Sequence, residues 1–284
     1  NTVVSSGTGS GKTECFLIPA IDWVLRHPGK GIRVVLVYPM NALVNDQIRR
    51  LCSLIGFHKS KGEAENNITF ARYTGETERT DLHKANRKEP NAPDNQLLTR
   101  EQIWESPPDI LITNFAMLEQ SLLRPQESPF FDYVDEHAWR YIILDEAHSY
   151  RGAQAIDLAH LLKRVRAAVQ RGKEMAGVEH HDPVCIATSA TLTDSSSTKV
   201  AQRKVTAEFA NDLFPTEFTP ETVILAEKQE VDSHDGWEFP SIEIETKHNL
   251  NWASLEFSSL NLEGPVDDAA IARIAPLVPS NVMS

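Results

Sequence analysis

Short, continuous apolar runs recur along the first 210 residues, separated by amphipathic stretches. They fall at residues 3–5, 33–38, 68–73, 109–113, 141–145 and 184–188. Most carry Val, Ile and Leu at consecutive rather than alternate positions, which predicts parallel strands covered on both faces. Between them, helical spacing predicts helices over 11–25, 42–55 and 153–170. In the last of these Ile156, Leu161, Val165 and Val169 fall near one face, with Lys163, Arg164 and Arg166 elsewhere. Alternating strands and helices predict an α/β fold: a doubly wound, mainly parallel sheet with helices on both faces. Ligands of such sheets bind beyond the carboxyl ends of the strands. The residues that close each apolar run are therefore where chemistry is expected.

Two polar segments, 59–67 and 80–95, interrupt the pattern and read as surface excursions. Beyond about residue 214 the periodicity fades. Pro215, Pro220, Pro240 and Pro265 punctuate an acidic stretch with a candidate strand at 241–246. This predicts one domain over 1–213 and an irregular acidic C-terminal tail over 214–284, a linker or partial insertion leading to a further domain.

The net charge of −12 at first argues against nucleic acid. Its distribution removes that objection. Of 40 Asp+Glu and 28 Lys+Arg, 14 acidic and 3 basic residues lie between Asn211 and Ser284, so the tail carries −11 and the first 210 residues −1. A near-neutral domain can hold a phosphate backbone through N–H groups and local Lys or Arg, without a strong non-specific field. No apolar run is long enough to span a membrane. No signal peptide is visible, so a cytoplasmic protein is expected, and the natural start is expected upstream. Cys15, Cys52 and Cys185 lie too far apart for a disulfide framework or paired metal ligands. They read as buried small hydrophobes in a reducing compartment. His180-His181-Asp182 and Trp104, Trp139, Trp237 and Trp252 read as loop and packing residues rather than as a metal site or base-stacking platforms.

Ser6-Gly7-Thr8-Gly9-Ser10-Gly11-Lys12-Thr13 follows a short strand and opens a helix, the context of a phosphate-binding loop. Glycines let the backbone wrap phosphates, and the N–H groups converge at a helix N-terminus. Gly7, Thr8, Gly9, Ser10, Gly11, Lys12 and Thr13 are the expected nucleotide contacts. Lys12 suits the β- and γ-phosphates, and the Thr13 hydroxyl suits Mg²⁺. Ser6 stands where the strict pattern has glycine. Further on, the apolar Tyr141-Ile142-Ile143-Leu144 delivers Asp145-Glu146-Ala147-His148 to a sheet edge. Asp145 is suited to hold hydrated Mg²⁺, and Glu146 to orient and deprotonate an attacking water. Phosphoryl transfer asks a protein for little beyond such positioning and charge neutralisation.

Taken with Ser189-Ala190-Thr191, these segments occur in order, each after a strand, and resemble motifs I, II and III of superfamily 2 DExH-box helicases. Tyr38-Pro39-Met40-Asn41-Ala42-Leu43-Val44-Asn45-Asp46-Gln47 resembles motif Ia, and Tyr73-Thr74-Gly75-Glu76-Thr77 motif Ib. Asp109-Ile110-Leu111-Ile112-Thr113-Asn114-Phe115-Ala116-Met117-Leu118 resembles the next strand-to-loop motif. The wording Tyr-Pro-Met-Asn-Ala-Leu and Asp-Glu-Ala-His-Ser-Tyr-Arg-Gly is similar to the MrfA-like branch. That branch includes DNA-repair helicases and large phage-defence helicases of the DISARM and Druantia kind. The resemblance covers roughly residues 2–225.

It implies the first RecA-like domain of an ATP- and Mg²⁺-dependent helicase or translocase, with hydrolysis coupled to movement along nucleic acid, DNA being expected. His148, Ser189 and Thr191 would couple the two sites. Pro39, Asn41, Thr74, Gly75, Thr113 and Asn114 would meet the backbone of one strand without reading bases. Thr113 or Asn114 could instead cap a following helix. Two other readings stay open: a duplex DNA translocase that does not unwind, and a non-catalytic nucleotide-sensing scaffold module of a defence complex. Intact Lys12, Asp145 and Glu146 favour the motor. The partners implied are nucleic acid, a second RecA-like domain of the same full-length chain, and subunits of a defence complex. An arginine finger from that second domain can be worth about 10³–10⁵ in rate. The 284 residues alone are therefore expected to hydrolyse ATP poorly.

Overall fold

A computed structural model of the chain describes residues 1–6, 11–59, 68–189 and 198–226. Gly7, Thr8, Gly9, Ser10 and Thr191 lie outside the described residues, as do Trp237, Trp252 and the strand expected at 241–246. Eight strands form one sheet: β1 (Thr2–Ser5), β2 (Val34–Tyr38), β3 (Phe70–Tyr73), β4 (Gln96–Leu97), β5 (Ile110–Asn114), β6 (Tyr141–Leu144), β7 (Val184–Ser189) and β8 (Val223–Leu225). Their order is β4-β3-β5-β2-β6-β7-β1-β8, and every pairing is parallel. The crossovers carry α1 (Lys12–Arg26), α2 (Asn41–Ile55), α3 (Leu82–Lys88), α4 (Arg100–Glu105), α5 (Phe115–Ser121), α6 (Pro129–Asp132), α7 (Ala153–Ala176) and α8 (Lys199–Leu213).

Burial explains why the strands read as continuous apolar runs. Every residue of β2 is buried. Val34, Leu36 and Tyr38 pack with Phe16, Leu17 and Val24 of α1 and with Val44, Ile48 and Leu51 of α2. Val35 and Val37 belong to the opposite layer, with Leu158, Leu161, Leu162, Val165 and Val169 of α7. Side chains alternate across a strand, so a strand roofed on both sides needs an apolar residue at every position. Each such side chain contributes about 1.5–3 kcal/mol on burial.

Ile156 departs from its expected place. It is 60% exposed, and Leu158 takes the buried position instead. From Ile156 to Leu161 is five residues, which turns the helix about 140° away from a common face. The segment 80–95 is more than an excursion. It holds α3, whose N-cap Asp81 accepts from the Lys84 N–H at 2.8 Å. That helix buries only Ala85 and so leaves almost no periodic signal. Cys15 is exposed, Cys52 half-buried and Cys185 buried. Cys15 lies outside the Phe16, Leu17, Ala20 and Val24 stripe of α1, which corrects its expected burial.

The fold also takes in residues beyond 213. Phe214 and Phe218 pack in the core, and β8 pairs with β1. The Val223-Ile224-Leu225 run of β8 is short and lies in a proline-punctuated acidic stretch, which hides it from the pattern. No helix among the described residues is long and apolar enough to cross a membrane.

At the amino ends of the strands a buried ion pair ties several elements together. The Arg33 guanidinium donates to Asp109 Oδ1 through Nε at 3.0 Å and also through Nη2, and reaches the Val24 and His27 carbonyls at the end of α1. Asp109 Oδ2 accepts from the Thr69 backbone N–H at 2.7 Å and from its hydroxyl at 3.1 Å. Arg33 is 3% and Asp109 6% exposed.

Candidate functional site

The carboxyl ends of β2, β6, β7 and β1 stand side by side, and four stretches distant in sequence meet there. Gly11 caps α1 at φ 76°, in the left-handed region that a side chain would strain. Lys12 opens the helix, is 6% exposed, and donates from Nζ to the Ser6 carbonyl at 3.1 Å. Its nearest carboxylate oxygen in an ion pair is Glu146 Oε1, at 3.9 Å. A buried ammonium held by one carbonyl and one loosely placed carboxylate, at a helix N-terminus, suits an anion that brings further acceptors. Thr13 follows it, half-buried.

Asp145 is 5% exposed. Its Oδ1 accepts from the Glu146 N–H at 3.0 Å and from the Thr188 hydroxyl, while the same N–H lies 3.3 Å from Thr188 Oγ1. The Oδ1 side of Asp145 is thereby fixed. Glu146 adopts φ 52°, ψ 42°. With Trp139 it is one of two non-glycine residues at positive φ among those described. Such a conformation costs on the order of 1–2 kcal/mol and is held here by the contacts of its N–H. The turn brings Glu146 Oε2 to 3.3 Å from His148 Nδ1, with the carboxylate 26% exposed and within reach of water. The His148 carbonyl accepts from Arg151 Nε at 3.0 Å. Ser189 is fully buried, and its carbonyl accepts from the Ser6 N–H at 3.2 Å, which joins the end of β7 to the start of the phosphate loop.

Two residues at this site escape the motif reading. Thr188 immediately precedes Ser189, so the strand projects the two to opposite faces; its hydroxyl is the one that meets Asp145. Tyr38 closes β2 next to β6, where Val37 is in register with Leu144. It is 1% exposed, and its hydroxyl faces Asp145 without a partner at hydrogen-bond geometry. Burial, followed by the Asp145 carboxylate, holds the phenol protonated, well above its usual range.

A second cluster forms at the ends of β2, β3 and β5. Asn114 Oδ1 caps α5 through the Met117 N–H at 2.8 Å, and its Nδ2 donates to Asn41 Oδ1 at 2.6 Å. Asn41 Nδ2 reaches Glu76 Oε1 at 3.3 Å. The loops holding Pro39 and Asn41, Thr74 and Gly75, and Thr113 and Asn114 are thus stitched into one surface. Thr74 and Thr113 are fully buried. The Thr113 hydroxyl donates to the Tyr73 carbonyl at 2.7 Å, and the Thr74 hydroxyl accepts from the Glu76 N–H at 3.3 Å. Their side chains shape the loops, while Gly75 and Glu76 are exposed. Trp104 donates from Nε1 to the Tyr73 hydroxyl at 3.1 Å, and the buried Trp139 donates to the Phe130 carbonyl at 2.8 Å. Both belong to the packing. Asp182 pairs with Arg166 at 2.6 Å and lies 3.2 Å from His180 Nε2.

Comparison with known proteins places this architecture. The Druantia protein DruE of Escherichia coli is 28% identical, over 67% of this chain and 15% of its own length. The uncharacterized ATP-dependent helicase YprA of Bacillus subtilis is 26% identical, over 67% of this chain and 20% of its own. The chain therefore spans about a fifth or less of these relatives. A solved structure of the DUF1998 helicase MrfA bound to DNA has the same fold, with a TM-score of 0.53 at 21% identity, covering 80% of this chain and 25% of that one. The profile of the DEAD/DEAH box helicase family matches residues 1–200, most of the sheet and both clusters, and the chain belongs to that family.

Proposed function

We propose that this chain is the first RecA-like domain of an ATP-driven nucleic-acid motor, acting on DNA as a helicase or translocase. One observation carries the reading: Lys12 and the adjacent pair Asp145 and Glu146, more than 130 residues away in sequence, come together at the carboxyl ends of strands, with Lys12 and Asp145 almost fully buried. In this reading the loop from Gly7 to Thr13 binds the triphosphate. Thr13 and Asp145 hold Mg²⁺, which neutralises charge on the phosphates when bound. Glu146 orients water and takes its proton. His148 and Ser189, with Thr191, transmit the state of the nucleotide to the strand-binding loops. Pro39, Asn41, Gly75 and Asn114 meet the strand, and Thr74 and Thr113 hold those loops in shape. DNA is favoured by the DNA-bound MrfA neighbour, and a role in defence by the likeness to DruE. A second RecA-like domain of the full-length chain closes the nucleotide cleft.

The test is ATP hydrolysis by the full-length gene product, alone and with single-stranded DNA, duplex DNA and RNA. Stimulation of at least tenfold by one form of DNA is expected. If ATP binds yet no nucleic acid changes turnover, the sensing-module reading replaces the motor.

Thr188 supplies a sharper check on the metal geometry. Thr188→Val keeps the shape but removes the hydroxyl that fixes Asp145. Groups that orient a metal ligand are worth about 10–100-fold in metal affinity or activity. We expect ATP turnover to fall by that factor, with much of the loss recovered at high Mg²⁺. A variant with wild-type turnover at low Mg²⁺ would remove Thr188 from the site.

A further inference from the structure

We infer that Arg100 is a positioning residue for strand binding, which turns the 74–77 loop so that the Gly75 N–H faces outward. The inference rests on the reading that this surface meets a nucleic-acid strand. No motif points to Arg100: it lies at the start of α4, between two loops of the second cluster in sequence. Its guanidinium nevertheless gathers the loop from behind. Nη2 donates to the Thr74 carbonyl at 3.0 Å and to the Gly75 carbonyl at 3.2 Å, and Nε donates to the Thr77 carbonyl at 3.2 Å. The group also lies over the Tyr73 ring, 5.7 Å from its centre.

Arg100 is itself firmly placed. Its N–H donates to the Glu78 carbonyl at 2.8 Å, and a capping box between Thr99 and Gln102 starts its helix. The bridge between Glu78 and Thr99 locks that helix to the loop.

Peptide geometry gives the consequence. In a trans peptide the C=O and the following N–H point in opposite directions, and no peptide among the described residues is cis. The Thr74 carbonyl accepts from the Thr77 N–H at 3.2 Å, which closes the turn, and from the guanidinium at 3.0 Å, which holds that turn against α4. With the carbonyl drawn to this side, the Gly75 N–H is aimed away from it, at the exposed side of the loop. A cation bound to the carbonyl also polarises the peptide and strengthens that N–H as a donor. Gly75 itself is unconstrained from inside. Its φ is not positive, so the turn does not require glycine. A Cβ at this position would meet nothing within 4 Å, so internal packing does not require it either. This side of the loop is therefore open to solvent, and an outward N–H there is accessible to a phosphate oxygen.

The experiment uses the full-length gene product and a fluorescein-labelled single-stranded DNA, read by anisotropy and by the strand concentration giving half-maximal ATPase stimulation. Arg100→Lys keeps the charge and loses the fork. We expect Arg100→Lys and Arg100→Ala each to weaken strand affinity about tenfold, the lower end for losing a charge-assisted hydrogen bond. Turnover at saturating strand should stay within about twofold, and the slope of log affinity against log salt should match wild type. Gly75→Ala, which has room for its methyl, should show the same loss and guards against a folding defect at Arg100. Full rescue by lysine, or a salt slope lower by about 0.7–0.9 in Arg100→Ala, would mean a direct phosphate contact and overturn the proposal. Unchanged strand affinity in both arginine variants would overturn it as well. If wild type binds no strand, the motor reading itself fails; if wild type binds and the variants match it, only the role of Arg100 fails.

Discussion

Replacing Glu146 by glutamine is expected to cut ATP turnover of the full-length gene product by about 10²–10⁴-fold, the usual contribution of a positioned general base, while nucleotide still binds. Glutamine is nearly isosteric. It retains the backbone N–H that contacts Asp145 Oδ1 and Thr188 Oγ1, so the left-handed turn at this position and the fixed face of Asp145 are preserved. What disappears is a carboxylate 3.9 Å from the Lys12 ammonium and 3.3 Å from His148 Nδ1, open enough to receive water. Loss of that charge also frees Lys12, so affinity for a nucleotide anion should hold or rise slightly. Phosphate release and binding of a fluorescent nucleotide analogue separate the two effects. A turnover within threefold of wild type would assign proton transfer to another group and leave Glu146 as a structural partner of Lys12.

The second large effect lies at the opposite end of the sheet. Asp109→Ala leaves the Arg33 guanidinium buried with carbonyl partners but no carboxylate, and strips the Thr69 N–H of its acceptor. Breaking a buried pair from one side costs about 3–5 kcal/mol. For a domain of this size each kcal/mol moves Tm by about 2–4 °C, so thermal unfolding of the 284-residue chain should shift down by about 6–20 °C. The double variant Arg33→Met, Asp109→Leu is expected to recover most of that loss, because apolar residues of similar volume replace such pairs at little cost. A double variant as unstable as the single one would show that the polar contacts to Thr69, Val24 and His27 matter more than the charge.

What the chain reveals before folding follows from where burial is two-sided. Strands such as β2 and β6 are apolar at every position because helices cover both faces, and they are legible as runs. The two-residue β4 at one sheet edge leaves no run to find, and at the other edge the short Val223-Ile224-Leu225 run of β8 sits in a proline-punctuated acidic stretch that hides it. Lys12, Asp145 and Glu146 are legible because each stands in a contiguous motif after a strand. Thr188, Tyr38 and Arg100 are not, since each owes its role to a neighbour brought alongside by strand order, and strand order is not written in any local pattern. The burial of Thr74 and Thr113 escapes for a related reason: the motif names a loop, whereas its own hydrogen bonds decide which atoms of the loop face outward.

The place of β1 in the sheet has a consequence for biosynthesis. Among the described residues, the strand that leads into the phosphate loop pairs with β7 and β8, which begin at Val184 and Val223. Ribosomes add about 5–20 residues per second, so roughly 180 residues of synthesis leave both edges of β1 bare for about 10–40 s. Unpaired edges invite mispairing, and the nascent chain is most exposed to aggregation in that interval. Nucleotide cannot assist earlier folding steps, because the lysine loop acquires its anchor on Ser189 only when β7 arrives. Ligand-dependent rescue of folding should therefore act on chains released after that point, and protection of younger chains falls to chaperones.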